Sequence, residues 1–241
     1  MGNVIDLGHG FRAAVTERHG GVSVPPYDSL NLGLGSGDDR EAVLANRKIA
    51  ARELGFDADR VVWMNQVHGP DVLVATEPGA VGTCDAVVTT RPDLVLASLS
   101  ADCLPVLAVD AHAGVLGAAH SGRLGTAHGV AANLVSTMVG QGARVDRITA
   151  FLGPGICGGC YEVPPRMREE TARDTPEAAC TTRTGTAGVD MRAAVTAQLI
   201  EAPAVAQAAN ARVWYAPWLG VLAAMAVGGL IGWVHAVISI R

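Results

Sequence analysis

Two histidines and one cysteine stand out by type and by place. The tripeptide Ala101-Asp102-Cys103 separates two apolar runs, residues 94–100 and 104–110, that read as buried strands. His68, in Asn65-Gln66-Val67-His68-Gly69, and His120, in Ala119-His120-Ser121-Gly122, each close an apolar run and lead into glycine. Imidazole and thiolate are preferred zinc ligands, and three protein ligands leave the fourth tetrahedral position to water, as in catalytic centres. Such water ionises near neutral pH and serves as nucleophile or base. Mixed imidazole and thiolate sets also take copper. On this reading His68, Cys103 and His120 meet at one metal. Two alternatives use the same residues. In one, Cys103 is a nucleophile with a histidine base oriented by Asp102 or Asp85. In the other, Cys103 is a core thiol beside hydrogen-bonded turn histidines. The three residues lie on separate elements, and their spacing does not choose.

Residues at strand ends need a core behind them. The chain has 241 residues and is 49% hydrophobic, enough for one large domain or two small ones. Its formal net charge of −5 and lack of a basic stripe argue against nucleic acid as a partner. Five cysteines make an odd count, and residues 1–10 carry neither a basic start nor an apolar core. A reducing, cytoplasmic setting is the expectation.

Strands are predicted over residues 11–16, 61–67, 72–76, 85–90, 94–100, 104–110, 114–119 and 148–152. Asp38 or Asp39 caps a helix that runs to Leu54, where Gly55 stops it. Further helices are expected over 126–139, after Pro164-Pro165, and from Asp190 to about 201. Residues 175–188 read as a loose segment. Strands and helices alternate irregularly, and several strands adjoin at short turns. That pattern fits an α/β (α+β) fold, a single domain of mixed β-sheets layered with helices. The end of the chain differs: residues 213–240 hold no Asp, Glu, Lys or Arg, and 221–234 are almost wholly apolar. A run of ~20 apolar residues is the length of a membrane helix. A tail anchor, a buried terminal helix and an altered reading frame all fit.

Two further motifs could carry chemistry. Cys157-Gly-Gly-Cys160 has the spacing of a redox or metal pair, but it lacks a second pair at zinc spacing and does not open a thioredoxin-like helix. A structural role is the simpler reading. The nucleobase deaminases with Pro-Cys-x-x-Cys also need His-x-Glu, which this chain lacks. The turn Ser121-Gly-Arg-Leu-Gly125, at a predicted helix start, could hold an anion such as phosphate, with Arg123 adding charge.

Taken in order, Ser29-Leu-Asn-Leu-Gly33, Asn46-Arg47, Asn65-Gln-Val-His-Gly69, Cys84-Asp-Ala-Val-Val-Thr89, Ser100-Ala-Asp-Cys-Leu-Pro105, His120-Ser-Gly122, Leu152-Gly-Pro-Gly-Ile156 and Tyr161-Glu-Val163 resemble the YfiH family. Its members were long labelled laccase-domain or multicopper polyphenol oxidases and are now described as purine nucleoside phosphorylases with adenosine deaminase activity. The resemblance covers about residues 10–201. It implies a cytoplasmic zinc enzyme that phosphorolyses adenosine, inosine and 5′-methylthioadenosine and deaminates adenosine. The family's metal ligands fall on His68, Cys103 and His120, which would also be the catalytic residues. Asn31, Gln66 and Arg123 become candidates for holding purine nucleoside and phosphate.

Two departures stand beside it. The family usually has His-Ala-Gly-Trp-Arg-Gly where this chain has His120-Ser-Gly-Arg-Leu-Gly125. Its arginine-rich closing segment is not found in 202–241. The expected organisation is therefore a YfiH-like metal-dependent catalytic domain over 1–201 and an atypical apolar tail over 202–241, with a membrane as partner only if that tail is an anchor. Alternative functions are a copper-dependent phenol oxidase and a metal-binding protein without turnover. A full multicopper site needs His-x-His pairs, and none of the seven histidines is so spaced.

Overall fold

The computed structural model describes residues 3–201, 212–215 and 234–239. Its first half lays down β1 (Asn3–Gly8), β2 (Phe11–Thr16), α1 (Arg40–Glu53), β3 (Val61–Asn65), β4 (Val72–Val74), β5 (Gly79–Thr83), β6 (Ala86–Thr89) and β7 (Val95–Ser100). Then come β8 (Leu104–Asp110), β9 (Val115–Ser121), α2 (Arg123–Ala127), α3 (Val130–Gly140), β10 (Thr149–Leu152) and α4 (Pro165–Thr171). The hairpin β11 (Ala179–Thr181) and β12 (Ala187–Val189), helix α5 (Met191–Glu201), and strands β13 (Arg212–Tyr215) and β14 (Val234–Ser239) complete it.

The long strands form two six-stranded sheets, ordered β1-β2-β14-β7-β3-β5 and β13-β10-β8-β9-β6-β4. Both mix parallel with antiparallel pairs. This is the mixed-sheet α/β architecture that the irregular alternation predicts.

An apolar layer lies between the sheets, with Phe11, Val62 and Leu96 from one and Leu107, Leu116 and Phe151 from the other. The outer faces are covered as well. Ala51 of α1 and Leu54, which follows it, pack with Ala14, Val95 and Ala97, while Leu134 and Met138 of α3 and Leu199 of α5 pack with Leu104, Val106 and Ala119. Strands β7, β8 and β9 are thus buried on both faces, and so read as continuous apolar runs rather than alternating ones. Gly117 lets α3 down onto β9: a Cβ there would lie 2.8 Å from Leu134 Cδ1 and 2.9 Å from Met138 Sδ.

Local signals set several boundaries. The Asp39 side chain accepts the Glu41 N–H at the start of α1, and Gly55, at φ +73°, follows the end of that helix. Other boundaries need correction. The helix predicted over 126–139 is two, α2 and α3, because Gly129 at φ +81° interrupts the helical backbone. The strand predicted to end at 119 continues to Ser121, so His120 lies inside β9 rather than in the turn beyond it. Strands β1 and β5 form where none was predicted, and the segment expected to be loose, 175–188, contains most of the β11–β12 hairpin.

Beyond 201, β13 runs parallel to β10, and β14 lies antiparallel between β2 and β7, with Val237 opposite both Ala14 and Ala97. The apolar stretch 221–233, on which the membrane expectation rests, lies outside the described residues. Among the described residues no helix is long and apolar enough to cross a membrane.

Candidate metal centre

Strand β7 belongs to one sheet and β8 to the other, so Ala101-Asp102-Cys103 is the corner where the chain crosses between them. Asp102 takes a left-handed backbone at φ +74°, and Ser100 Oγ donates to the carbonyl of Cys103, closing the corner. His68 follows β3, also left-handed at φ +63°. His120 sits opposite Pro105 in the β8–β9 ladder. A buried bond from Ser98 Oγ to Ala119 O, 3.0 Å long, ties the sheets together beside it. Three separate strand ends therefore converge where the sheets meet.

Their donor atoms all lie within 4.8 Å of one another. Cys103 Sγ is 3.7 Å from His68 Nε2, and the two imidazoles meet edge to face at 4.7 Å between centroids. Tetrahedral zinc with ordinary bond lengths sets sulfur and nitrogen about 3.6 Å apart. The observed spacing fits.

A buried carboxylate organises the two histidines. Asp85 Oδ1 lies 2.8 Å from His120 Nδ1, which leaves Nε2 of that ring for a metal. The same carboxylate accepts the backbone N–H groups of Val67 at 3.0 Å, His68 at 2.9 Å and Gly69 at 2.7 Å. Of the two aspartates that sequence reading offered for orienting a histidine, the structure selects Asp85. Asp102 is exposed.

Gly122 supplies the space. A Cβ at this position would come within 2.4 Å of His68 Cδ2 and 3.2 Å of both Cys103 Sγ and His68 Nε2. Gly125 brings α2 against the His68 turn in the same way, since its Cβ would lie 2.9 Å from Gly69 O. In the sequence these glycines suggest only an anion-holding turn. Their contact with His68 spans more than fifty residues of chain, and no local signal announces it.

The electrostatics follow from burial and from Asp85. Burial pushes the His120 imidazole down, but the Asp85 carboxylate and the Cys103 sulfur outweigh it and raise its pKa to about 9. For His68, burial and then the neighbouring His120 lower the pKa against the pull of Asp85. Burial raises Asp85, yet its bonds from His120 and from three backbone N–H groups hold it below the usual carboxylate range. His120 would therefore have to give up a proton at neutral pH to serve as a metal ligand.

The other candidate residues make protein contacts outside the three-donor cluster. The Asn31 amide, 1% exposed, donates to Ser36 Oγ and Asp38 Oδ2 and accepts from Gly33 N–H. Gln66 clasps the backbone of Leu99, donating at 2.7 Å and accepting at 2.8 Å. The Arg123 guanidinium reaches Thr171 Oγ1 at 3.4 Å, and the helix it opens, α2, has only five residues.

A family model described as multi-copper polyphenol oxidoreductase laccase matches residues 12–217. The chain belongs to this family. Among relatives, a protein from Streptomyces griseus named purine nucleoside phosphorylase ORF3 is 54% identical over 190 residues, 77% of each chain. A protein from Mycobacterium tuberculosis named purine nucleoside phosphorylase Rv2149c is 46% identical over 191 residues, 78% of this chain and 76% of its own. Of solved structures, YlmD from Geobacillus stearothermophilus is 31% identical with a TM-score of 0.83, covering 96% of this chain and 92% of its own. YfiH from Bacillus licheniformis, 26% identical, has a TM-score of 0.80 over 96% and 93%. The resemblance drawn from the ordered motifs thus holds in both sequence and fold. Despite the family's multi-copper label, the described residues hold a single three-donor cluster of histidine and cysteine.

Proposed function

We propose that the chain is a zinc-dependent purine nucleoside phosphorylase acting on adenosine, inosine and 5′-methylthioadenosine, with adenosine deaminase activity at the same centre. The observation that carries the reading is the convergence of His68, Cys103 and His120 around one point, backed by Asp85. The names of the relatives supply the reaction class.

His68, Cys103 and His120 would hold the metal, which when bound supplies a Lewis acid able to ionise water. Asp85 keeps the Nδ1 proton of His120 in place and fixes the backbone of His68, so both rings meet substrate already oriented. Gly122 keeps side-chain atoms out of the reaction space. In phosphorolysis a phosphate oxygen bonds to the anomeric carbon, the glycosidic bond breaks, and its electron pair leaves with the purine, which takes up a proton. Asp102, exposed one residue from Cys103, is assigned to that proton transfer. Arg123 is assigned to phosphate: one contact at 3.4 Å leaves most of its five N–H donors for an anion. Asn31 and Gln66 are reassigned from substrate to scaffold, because their amides brace a loop and the strand before the Cys103 corner.

The family label favours a second reading, copper-dependent oxidation of phenols. Product analysis separates the two. Purified protein loaded with zinc or with copper is given inosine or adenosine with and without phosphate, and separately a phenol under air. The proposal expects free base and sugar 1-phosphate only with phosphate, inosine from adenosine without it, and no quinone. Quinone formation with copper and no base release with zinc would replace it.

A further inference from the structure

The Cys157-Gly158-Gly159-Cys160 segment, for which sequence reading favours a structural role, brings its two sulfurs to 2.8 Å. The turn that does so is closed by N–H bonds from Cys160 and Tyr161 to Cys157 O, at 2.9 and 3.0 Å. Both glycines between the cysteines are closely packed, and Gly158 has no room for a side chain. A Cβ on Gly158 would lie 2.8 Å from Asp190 Cβ, and one on Gly159 would lie 3.1 Å from Arg183 Cγ. Arg183 N–H also bonds Gly159 O at 3.0 Å. The turn is thus clamped between the β11–β12 connection and the residue preceding α5.

Reagents can reach it. Cys160 is exposed and Cys157 half-buried. Arg183 Nη2 stands 3.6 Å from Cys157 Sγ, a permanent positive charge beside that sulfur. The third nearby thiol is occupied, Cys180 Sγ contacting Gly158 O at 3.3 Å. Two accessible thiols, pre-aligned beside a guanidinium, are the parts that thiol–disulfide exchange requires. Core packing explains neither their exposure nor their contact.

We propose that Cys157 and Cys160 form a reversible redox site that low-molecular-weight disulfides oxidise to an intramolecular disulfide. Cys157 attacks one sulfur of the small disulfide, making a mixed disulfide and expelling one small thiol. Cys160 then attacks the Cys157 sulfur, closing the intramolecular bond and expelling the second. Two electrons and two protons leave the protein, and the small disulfide becomes two thiols. The Arg183 guanidinium, 3.6 Å from the Cys157 sulfur, makes Cys157 the first to attack. The site adjoins the metal centre without sharing a ligand, since Ile156 N–H bonds Asp102 O at 2.8 Å.

The test uses the full chain, metal-loaded so that Cys103 is protected, and oxidised glutathione as the probe. Free thiols are then alkylated and tryptic peptides weighed. The expected result is loss of both thiols of the peptide 148–166, a mass lower by two hydrogens, and full reversal by dithiothreitol. Cys160→Ser should instead trap glutathione on Cys157, and Arg183→Ala should slow the reaction. A glutathione adduct that persists on the unaltered chain, a cross-link to Cys180 or Cys103, or unreacted thiols would each overturn the proposal. Nucleoside turnover enters none of these readouts, so the proposal and the phosphorylase reading fail separately.

Discussion

Asp85 bonds His120 Nδ1 at 2.8 Å while the backbone of residues 67–69 closes on the same carboxylate, so one buried group holds two strand-end histidines in a fixed relation. Replacing it isosterically is the cleanest probe. Asp85→Asn keeps the shape and removes the charge that fixes His120. Metal affinity should fall about 10–100-fold, the usual cost of losing a partner behind a ligand. Competition with a chromophoric chelator measures it, and circular dichroism checks the fold. Unchanged affinity would remove Asp85 from the account.

Gly122→Ala tests the space between the ligands. The added Cβ would sit 2.4 Å from His68 Cδ2, so His68 must move. Metal should then bind at least tenfold more weakly in the same competition assay. Gly140→Ala, with nothing within 4 Å of its Cβ, is the control and should bind as the unaltered chain does. Equal affinity in both variants would contradict the crowding.

How far this site is legible in the sequence follows from the range of each contact. Cys103 is visible because β7 and β8 are buried on both faces, which makes the polar corner between them an interruption. His68 and His120 stand out because each closes an apolar run and leads into glycine. Asp85 is different. It precedes β6, and its partners lie 16 to 35 residues away, so sequence reading could offer it only alongside Asp102. Strand β5 escaped because Gly79-Ala-Val-Gly-Thr83 is glycine-containing and largely exposed, without the alternation of a half-buried strand. The break at Gly129 escaped because the apolar spacing that marks the helix, Val130, Leu134 and Met138, lies entirely beyond it.

The pH dependence of the metal-stripped protein follows from the same pair. His120 titrates at about 9 in the folded chain against an ordinary 6.5. A raised folded value means that its contribution is complete below about 6.5 and is lost as pH rises through about 9. Asp85, held low, gives the opposite limb: its contribution is present above the ordinary carboxylate value and lost as acid protonates it. These are two ends of one contact, and they do not add. Thermal unfolding of stripped protein should therefore show a plateau that declines toward pH 9, and bound metal should abolish the alkaline decline. A stripped protein equally stable at 6.5 and 9 would contradict the pairing.

Deleting 202–241 tests whether the change in sequence at 201 is also a folding boundary. β14 pairs with five residues of β2 and six of β7. Without it two ladders of backbone groups lose their partners in the middle of a sheet. The shortened chain should be largely insoluble or melt without cooperativity. Cooperative melting near that of the full chain would establish 1–201 as an independent domain.

Turnover is proposed to require a metal held by His68, Cys103 and His120. The direct measurement is phosphate-dependent release of hypoxanthine from inosine while zinc is titrated back into stripped protein. The rate should rise linearly to one ion per chain and then stay flat, with Cys103→Ala silent at every zinc level. Full turnover by the stripped protein or by Cys103→Ala would contradict it.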